Sequence, residues 1–257
     1  MNRHGFALIA TLWVVTALTT AIGLSLAATR LGQQTTLNRI ALTRGHWAAE
    51  ACLAIAQARW TQGRPTDTAT VDLGRQTRCA WRTEDPTARV NFNTVEVDVL
   101  RRLGAREPFV RALLDQHHHA PFEDLGQVAA LPGADSALLR FGTVVGPGSV
   151  NLSVAPRPVL VAVFGPEAGE AVERLLGRRM LGRPYSSLDA LIADVAPPTR
   201  AALLERYADL AQSTSFIAPQ LVITSTGWID RQPLRASIDV VAVPLPERLA
   251  IVRRRMW

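Results

Sequence analysis

The chain has 257 residues, 48% of them apolar and 19% charged, which excludes a disordered tail because such chains are apolar-poor and charge-rich. Two cysteines exclude a disulfide-dense mini-scaffold and a four-cysteine zinc site. The net charge of +6 rests on arginine alone, and the absence of lysine excludes Schiff-base and Walker A chemistry.

From Gly5 to Thr29 no charged residue occurs; Arg3 and His4 precede this stretch and Arg30 follows it. Its apolar core is about 23 residues, roughly 35 Å as a helix, enough to cross a bilayer once. No other stretch is that long, so a polytopic membrane protein is excluded. Two processing routes fit. A secretory signal would be cut after Ser25-Leu26-Ala27, although its apolar region should be shorter. A short basic leader would instead be cut after Gly5, leaving Phe6 first and the helix in the mature chain. The helical pattern then continues. Leu37, Ala41, Ala48, Cys52 and Ile55 fall on one stripe, flanked by Ile40, Trp47, Ala51 and Ala58. Glu50 and Gln57 lie opposite, and Arg44 is an exception on the apolar side. With no proline before Pro65, the spacing predicts one helix from Phe6 to Trp60. Arg30, Arg39 and Arg44 follow the span, so the positive-inside rule alone places the carboxyl side in the cytoplasm, against export of the bulk of the chain. That conflict stays open.

Gly63, Pro65 and Asp67 mark a turn. Strands are expected at Thr70–Leu73, Thr77–Trp81 and Ala88–Phe92, a helical block over about 94–210, and strands again at Ile217–Thr226, Leu234–Val243 and Leu249–Arg253. Helices set between two groups of strands imply an α+β fold with a helical domain inserted into an antiparallel sheet. The block repeats itself. Val90-Asn91-Phe92-Asn93 matches Val150-Asn151-Leu152-Ser153, and Pro121-Phe122-Glu123-Asp124-Leu125 matches Pro184-Tyr185-Ser186-Ser187-Leu188. Each copy reads as an Asn-led entry, two helices, a Pro-aromatic turn and a further helix. Two helical hairpins sharing one core would satisfy this pattern with no ligand.

Three features in this order resemble the general secretion pathway protein K family, the minor pseudopilins of type II secretion systems. They are the leader Arg3-His4-Gly5 before Phe6 and a long apolar helix, the segment His46-Trp47-Ala48-Ala49-Glu50-Ala51, and the paired entries VNFNT and VNLSV. The resemblance covers nearly the whole chain. It implies a leader over 1–5, a membrane helix over 6–29 and its amphipathic continuation over 30–62. The first part of the sheet then spans 63–92, the inserted helical domain 93–212 with repeats at about 90–145 and 150–210, and closing strands 213–257. It also implies cleavage after Gly5 and N-methylation of Phe6 by the prepilin peptidase. The implied location is the inner membrane, crossed once, with the bulk of the chain in the periplasm. Implied partners are minor pseudopilins I and J, with the secretin or exported cargo as further contacts, and no nucleic acid. The fifth residue after the cut is Ala10, where most pilin-like chains carry Glu to neutralise a neighbouring amino terminus in a dry bundle. Lacking that acid fits a tip subunit, which has none above it. No G-x-S-x-G or H-E-x-x-H motif occurs and no carboxylate pair stands out, so no enzymatic activity is expected. Calcium is the family's one implied cofactor, with Glu84, Asp85 and Asp135 the acids at hand.

Other motifs compete with this reading. Cys52 lies on the helix stripe and Cys79 on a strand; a disulfide clamping helix to sheet and two buried thiols both fit, because sequence carries no distance. His117-His118-His119 cannot converge on one ion from a helix, so a solvated helix end is expected. Gly146-Pro147-Gly148 lacks the third glycine and the βαβ context of a dinucleotide site. Leu131-Pro132-Gly133-Ala134-Asp135 resembles the hairpin of helix-hairpin-helix modules, and with Arg178, Arg179 and Arg183 it forms the alternative, a membrane-anchored DNA-binding protein. Asp135 stands where phosphate would approach. Arg253–Arg255 reads as a solvated end. A signal-cleaved periplasmic binding module is the third class.

Overall fold

The computed structural model describes residues 3–63, 67–117 and 119–256, with residues 3–10 as backbone only. Helix α1 (Arg3–Thr61) is continuous, as the absence of proline requires. Among the described residues it is the one helix long and apolar enough to cross a membrane. Threonines in its first half do not break it, because their hydroxyls bond back to the preceding turn, as Thr16 and Thr20 do to Leu12 O and Thr16 O at 2.8 Å.

The second half of α1 lies on a five-stranded antiparallel sheet built from β1 (Thr68–Gly74), β2 (Thr77–Glu84), β7 (Leu221–Ile229), β8 (Arg235–Pro244) and β9 (Leu249–Met256), in that spatial order. Alternation in β7 and β8 puts Leu221, Ile223, Ile238, Val240 and Ala242 under the helix. The helix meets them with small residues: Ala41, Gly45, Ala48, Ala49, Cys52, Leu53 and Ala56 are buried. Ala41, Ala48 and Cys52 of the expected stripe are buried, while the placing of Leu37 and the flanking Ile40 and Trp47 is corrected. Leu37, Ile40 and Trp47 are exposed, Trp47 at 68%. Small residues predominate in this contact, with Leu53 a large one buried among them, while Ile40 and Trp47 face away and Leu37 lies in the exposed stretch before the contact. At the centre, backbones touch. A Cβ at Gly45 would sit 2.9 Å from Gly227 O, and one at Gly227 would collide with Gly45 O and Ala49 N. Ser225 Oγ donates to Ala49 O at 2.7 Å beside this contact.

Gly227 lies against Gly45, Ser225 against Ala49, and Leu221 shares a cluster with Leu53 and Ala56. Strand β7 therefore runs antiparallel to α1, with Leu221 at the end farthest from the apolar half of the helix. Glu84 pairs with Val222 at that same end. The chain leaves the sheet at Glu84 and re-enters at Leu221, so everything between forms a domain at the far end.

That domain has its own core, centred on Phe92, Phe109, Leu113, Leu152, Leu160, Phe164 and Leu191. Its first copy holds β3 (Val90–Asn91), α2 (Val97–Arg102), α3 (Glu107–His117), α4 (Leu125–Ala129), α5 (Ser136–Leu139) and β4 (Gly142–Thr143). Its second holds β5 (Val150–Asn151), α6 (Arg157–Phe164), α7 (Gly169–Met180), α8 (Leu188–Ala193), α9 (Pro197–Glu205), α10 (Tyr207–Ser213) and β6 (Thr214–Ser215). Each copy closes on itself by a two-residue parallel pairing, β3 with β4 and β5 with β6. Ala88–Phe92 is thus not a strand of the main sheet. Pro86–Ala88 forms a 3-10 turn and Val90–Asn91 belongs to the helical domain, so the first part of the sheet ends at Glu84 and not at 92. Thr214–Ser215 likewise belongs to that domain, and the sheet resumes at Leu221.

Replacing Gly227 with Val should lower stability by about 3 kcal/mol or more, since the collision is with helix backbone that cannot yield. Gly23→Ala, with open space around it, should leave stability of the folded domain unchanged. Thermal unfolding followed by circular dichroism separates the two.

Candidate functional site

The structure joins Cys52 and Cys79 in a disulfide between α1 and β2, with both residues fully buried. Gly5, Phe6 and Ala10 lie on the backbone of α1; their side-chain surroundings, the leader residues Met1 and Asn2, Pro65 and His118 are outside the described residues.

Beyond the membrane-length stretch, α1 keeps a row of exposed apolar residues at Leu37, Ile40 and Trp47 while its opposite side is buried in the sheet. The helix thus has two working faces, one for its own sheet and one without a cover in the single chain.

The two repeats are fastened by equivalent asparagines. Asn91 Oδ1 accepts from Asn93 N, and Asn151 Oδ1 from Ser153 N, each closing a local turn. The amide of Asn91 donates to Gly146 O in the linker to the second copy, at 2.8 Å. The amide of Asn151 donates to Asp85 Oδ2 ahead of the first, at 2.7 Å. Each latch therefore holds the segment leading to the other copy. The pattern VNxN/S was legible; its crosswise use was not.

In the hairpin Leu131–Asp135, Leu131 and Ala134 are half-buried against the helical core, while Pro132, Gly133 and Asp135 are exposed. A Cβ on Gly133, which has φ of +76°, would lie 3.2 Å from Phe109 N, so this glycine permits packing on α3. Asp135 caps α5 by accepting from Ala137 N at 2.9 Å. Arg179 donates to Ala155 O and Leu152 O, and burial lowers its pKa. Of the parts of the DNA alternative, Asp135 is committed to a helix cap, Arg179 to backbone carbonyls and Arg178 to the Tyr185 ring, while Arg183 is exposed.

Two expectations are corrected by the structure. His117 is not a solvated end: its Nε2 lies 2.6 Å from Phe92 O, and its ring meets the edge of Phe122. Since a carbonyl only accepts, that nitrogen carries hydrogen. Nor is Arg253–Arg255 a free tail. On β9, Arg254 pairs with Glu50 of α1, and Arg255 lies 3.4 Å from Glu123 of the helical domain. One strand touches helix, sheet and inserted domain together. Arg255 and Glu123, with Arg253, Asp239 and Val145, line a cleft of about 200 Å³.

The acids named for calcium do not form a cradle. Glu84 is paired with Arg82 at 2.7 Å and Arg89 at 3.0 Å, Asp85 accepts from Thr87 and Asn151, and Asp135 caps a helix. No group of three or more His, Cys, Asp or Glu side chains converges among the described residues.

In the second copy, Tyr185 donates to Asp194 and lies under the Arg178 guanidinium, 4.9 Å from its carbon to the ring centre. The bond from Tyr185 holds the Asp194 carboxyl below its usual range. Burial, then the bond to Asp194, pushes the Tyr185 phenol up.

A chain of the GspK-GspI-GspJ complex from the type 2 secretion system of enterotoxigenic Escherichia coli is similar in structure. It superposes with a TM-score of 0.60 over 89% of this chain and 99% of that chain, at 12% identity. The fold is accordingly the pseudopilin fold, a long apolar amino-terminal helix on an antiparallel sheet with further helices. No protein-family model and no curated protein matches the sequence.

Tyr185→Phe should weaken the helical domain at neutral pH. The lowered Asp194 pKa adds stability above the ordinary Asp pKa of 3.8 and loses it as pH falls through the lowered folded value. The raised Tyr185 pKa adds stability below the ordinary Tyr pKa of 10.0 and loses it as pH rises through the raised value. The gap between wild type and variant should therefore be widest between these limits and close on both sides. Urea unfolding at a series of pH values checks it.

Proposed function

We propose that this chain is a minor pseudopilin at the tip of a type II secretion pseudopilus, taking part in protein export across the outer membrane. One observation carries the reading. The inserted domain sits at the end of the sheet farthest from the apolar half of α1, on a fold shared with a chain of the GspK-GspI-GspJ complex. A subunit so built holds its helical domain away from the membrane and obstructs stacking above it. The role is mechanical, with no catalytic step.

In this reading the prepilin peptidase cuts after Gly5 and methylates Phe6. Residues 6–29 hold the subunit in the inner membrane, with the bulk in the periplasm, until assembly draws it out. The exposed row Leu37, Ile40 and Trp47 is covered by the helices of minor pseudopilins I and J. Burial of that row supplies association energy at about 25 cal/mol per Å² before ordering costs. The buried disulfide supports a periplasmic location, since cytosolic thiols stay reduced. It weighs against the arginine count beyond the span.

The mature amino terminus tests the reading. Intact mass and terminal sequencing of the protein from native membranes should show a start at N-methylated Phe6. A start at Ala28 would give instead an exported domain without its helix, and an intact Met1 would leave a plain membrane anchor. Val14→Asp should abolish secretion, because a carboxylate near the middle of the span costs about 3 kcal/mol. Normal secretion by that variant would count against the role.

A further inference from the structure

His117 and Arg179 hold the same place in the two copies. His117 is the last residue of α3 and Arg179 the last but one of α7, and each reaches back to the carbonyl after the latch asparagine, Phe92 O and Leu152 O. The next two residues differ between the copies. The first copy continues with His118-His119, the second with Met180-Leu181. Met180 and Leu181 are 89% and 74% exposed. The first copy carries histidines at the corresponding sequence positions, so the repeat does not require apolar residues there. Nothing in the packing of the second copy uses them.

The pair is held as a fixed projection. Leu181 N, Gly182 N and Arg183 N bond to Gly177 O, Arg179 O and Arg178 O at 3.2, 2.9 and 2.9 Å, and Gly182 adopts φ of +67°. Backbone ordering at this point is already complete before any contact forms. Leu181 lines a cleft with Arg174, Arg178, Glu170, Glu173 and Asp194, in which Arg174 lies 3.7 Å from Glu170. Arg183, close to it in the chain, is exposed with no ion pair among the described residues. The carboxylates of that cleft are committed internally: Glu170 to Ala196 N and Thr199, Glu173 to Arg157, Asp194 to Tyr185.

We propose that Met180-Leu181 is the apolar anchor of a protein–protein contact, and that the partner presents an apolar notch rimmed by carboxylates. Methionine and arginine are enriched where interfaces are tightest, and an acidic rim complements the exposed Arg183. A lipid surface fits less well. Even a whole myristoyl chain binds membranes only marginally, and this projection lies on the domain remote from the membrane-length half of α1.

The test uses the full chain in its native host, with Leu181→p-benzoylphenylalanine as the probe and His119→p-benzoylphenylalanine as the matched control. Irradiation should give one protein adduct from position 181 and none from 119. Adding Arg183→Glu should cut its yield about tenfold. Sequencing the cross-linked peptide should place Asp or Glu beside the attachment point. Adducts to lipid alone, to another copy of this chain, or to a peptide without acids would overturn the proposal, as would a yield indifferent to Arg183→Glu or no adduct at all. The double variant Met180→Ser, Leu181→Ser should keep the wild-type melting temperature. A clear drop would mean the pair packs within the fold, and the proposal fails.

Discussion

The contact between Gly45 and Gly227 sets the geometry of the whole molecule. Two backbones touch where any side chain would intervene, so α1 lies flat on β7 at one height and in one direction. The neighbouring bonds and the disulfide depend on that seating: Ser225 reaches Ala49, and Cys52 meets Cys79 one turn on. Trp60 Nε1 reaches Leu245 O at 3.3 Å at the far end. Because the helix is pinned, the end of the sheet at Glu84 and Leu221 is necessarily the remote end, and the inserted domain has only one place to stand.

The inserted domain solves a second problem. Its short helices, most under a dozen residues, would be marginal alone. Duplication lets two such units share one core, and the asparagine latches hold each unit through the segment that leads to its twin. The arginine run on β9 then ties this body back to α1 and to the sheet. Charges that look like a loose tail are the fasteners between parts.

Much of this could be read from the residues. An uninterrupted helix, five alternating strands and a doubled helical block are each written in period and punctuation, and they led to the correct α+β architecture. Period placed Ala41, Ala48 and Cys52 on the buried side correctly, but set Leu37, Ile40 and Trp47 with them. Hydrophobicity favours Leu37, Ile40 and Trp47, whereas close approach favours alanine and glycine, and approach won. Val90 and Phe92 alternate like sheet residues, yet only two residues pair, and with a distant segment in parallel. His117 and Arg254 were misread because their partners, Phe92 O and Glu50, are remote in sequence. For the candidate surfaces the sequence marked the Asn-led entries and both cysteines. The cover-free row of α1 and the Met180-Leu181 projection emerged only with burial.

Strands β2 and β7 are neighbours in the sheet although residues 85–220 separate them. Joining ends across a loop of that length costs about 3 kcal/mol more than closing a four-residue hairpin if the loop is unstructured. A folded insertion, with its own ends fastened side by side, removes most of that penalty. The order of maturation is thereby set. During synthesis the helical domain emerges complete before β7 exists, folds on its own core, and presents Glu84 and Leu221 as adjacent starting points. The sheet, the seating of α1 and the docking of β9 come last. The insertion that crowns the molecule is also the template on which the sheet half is finished.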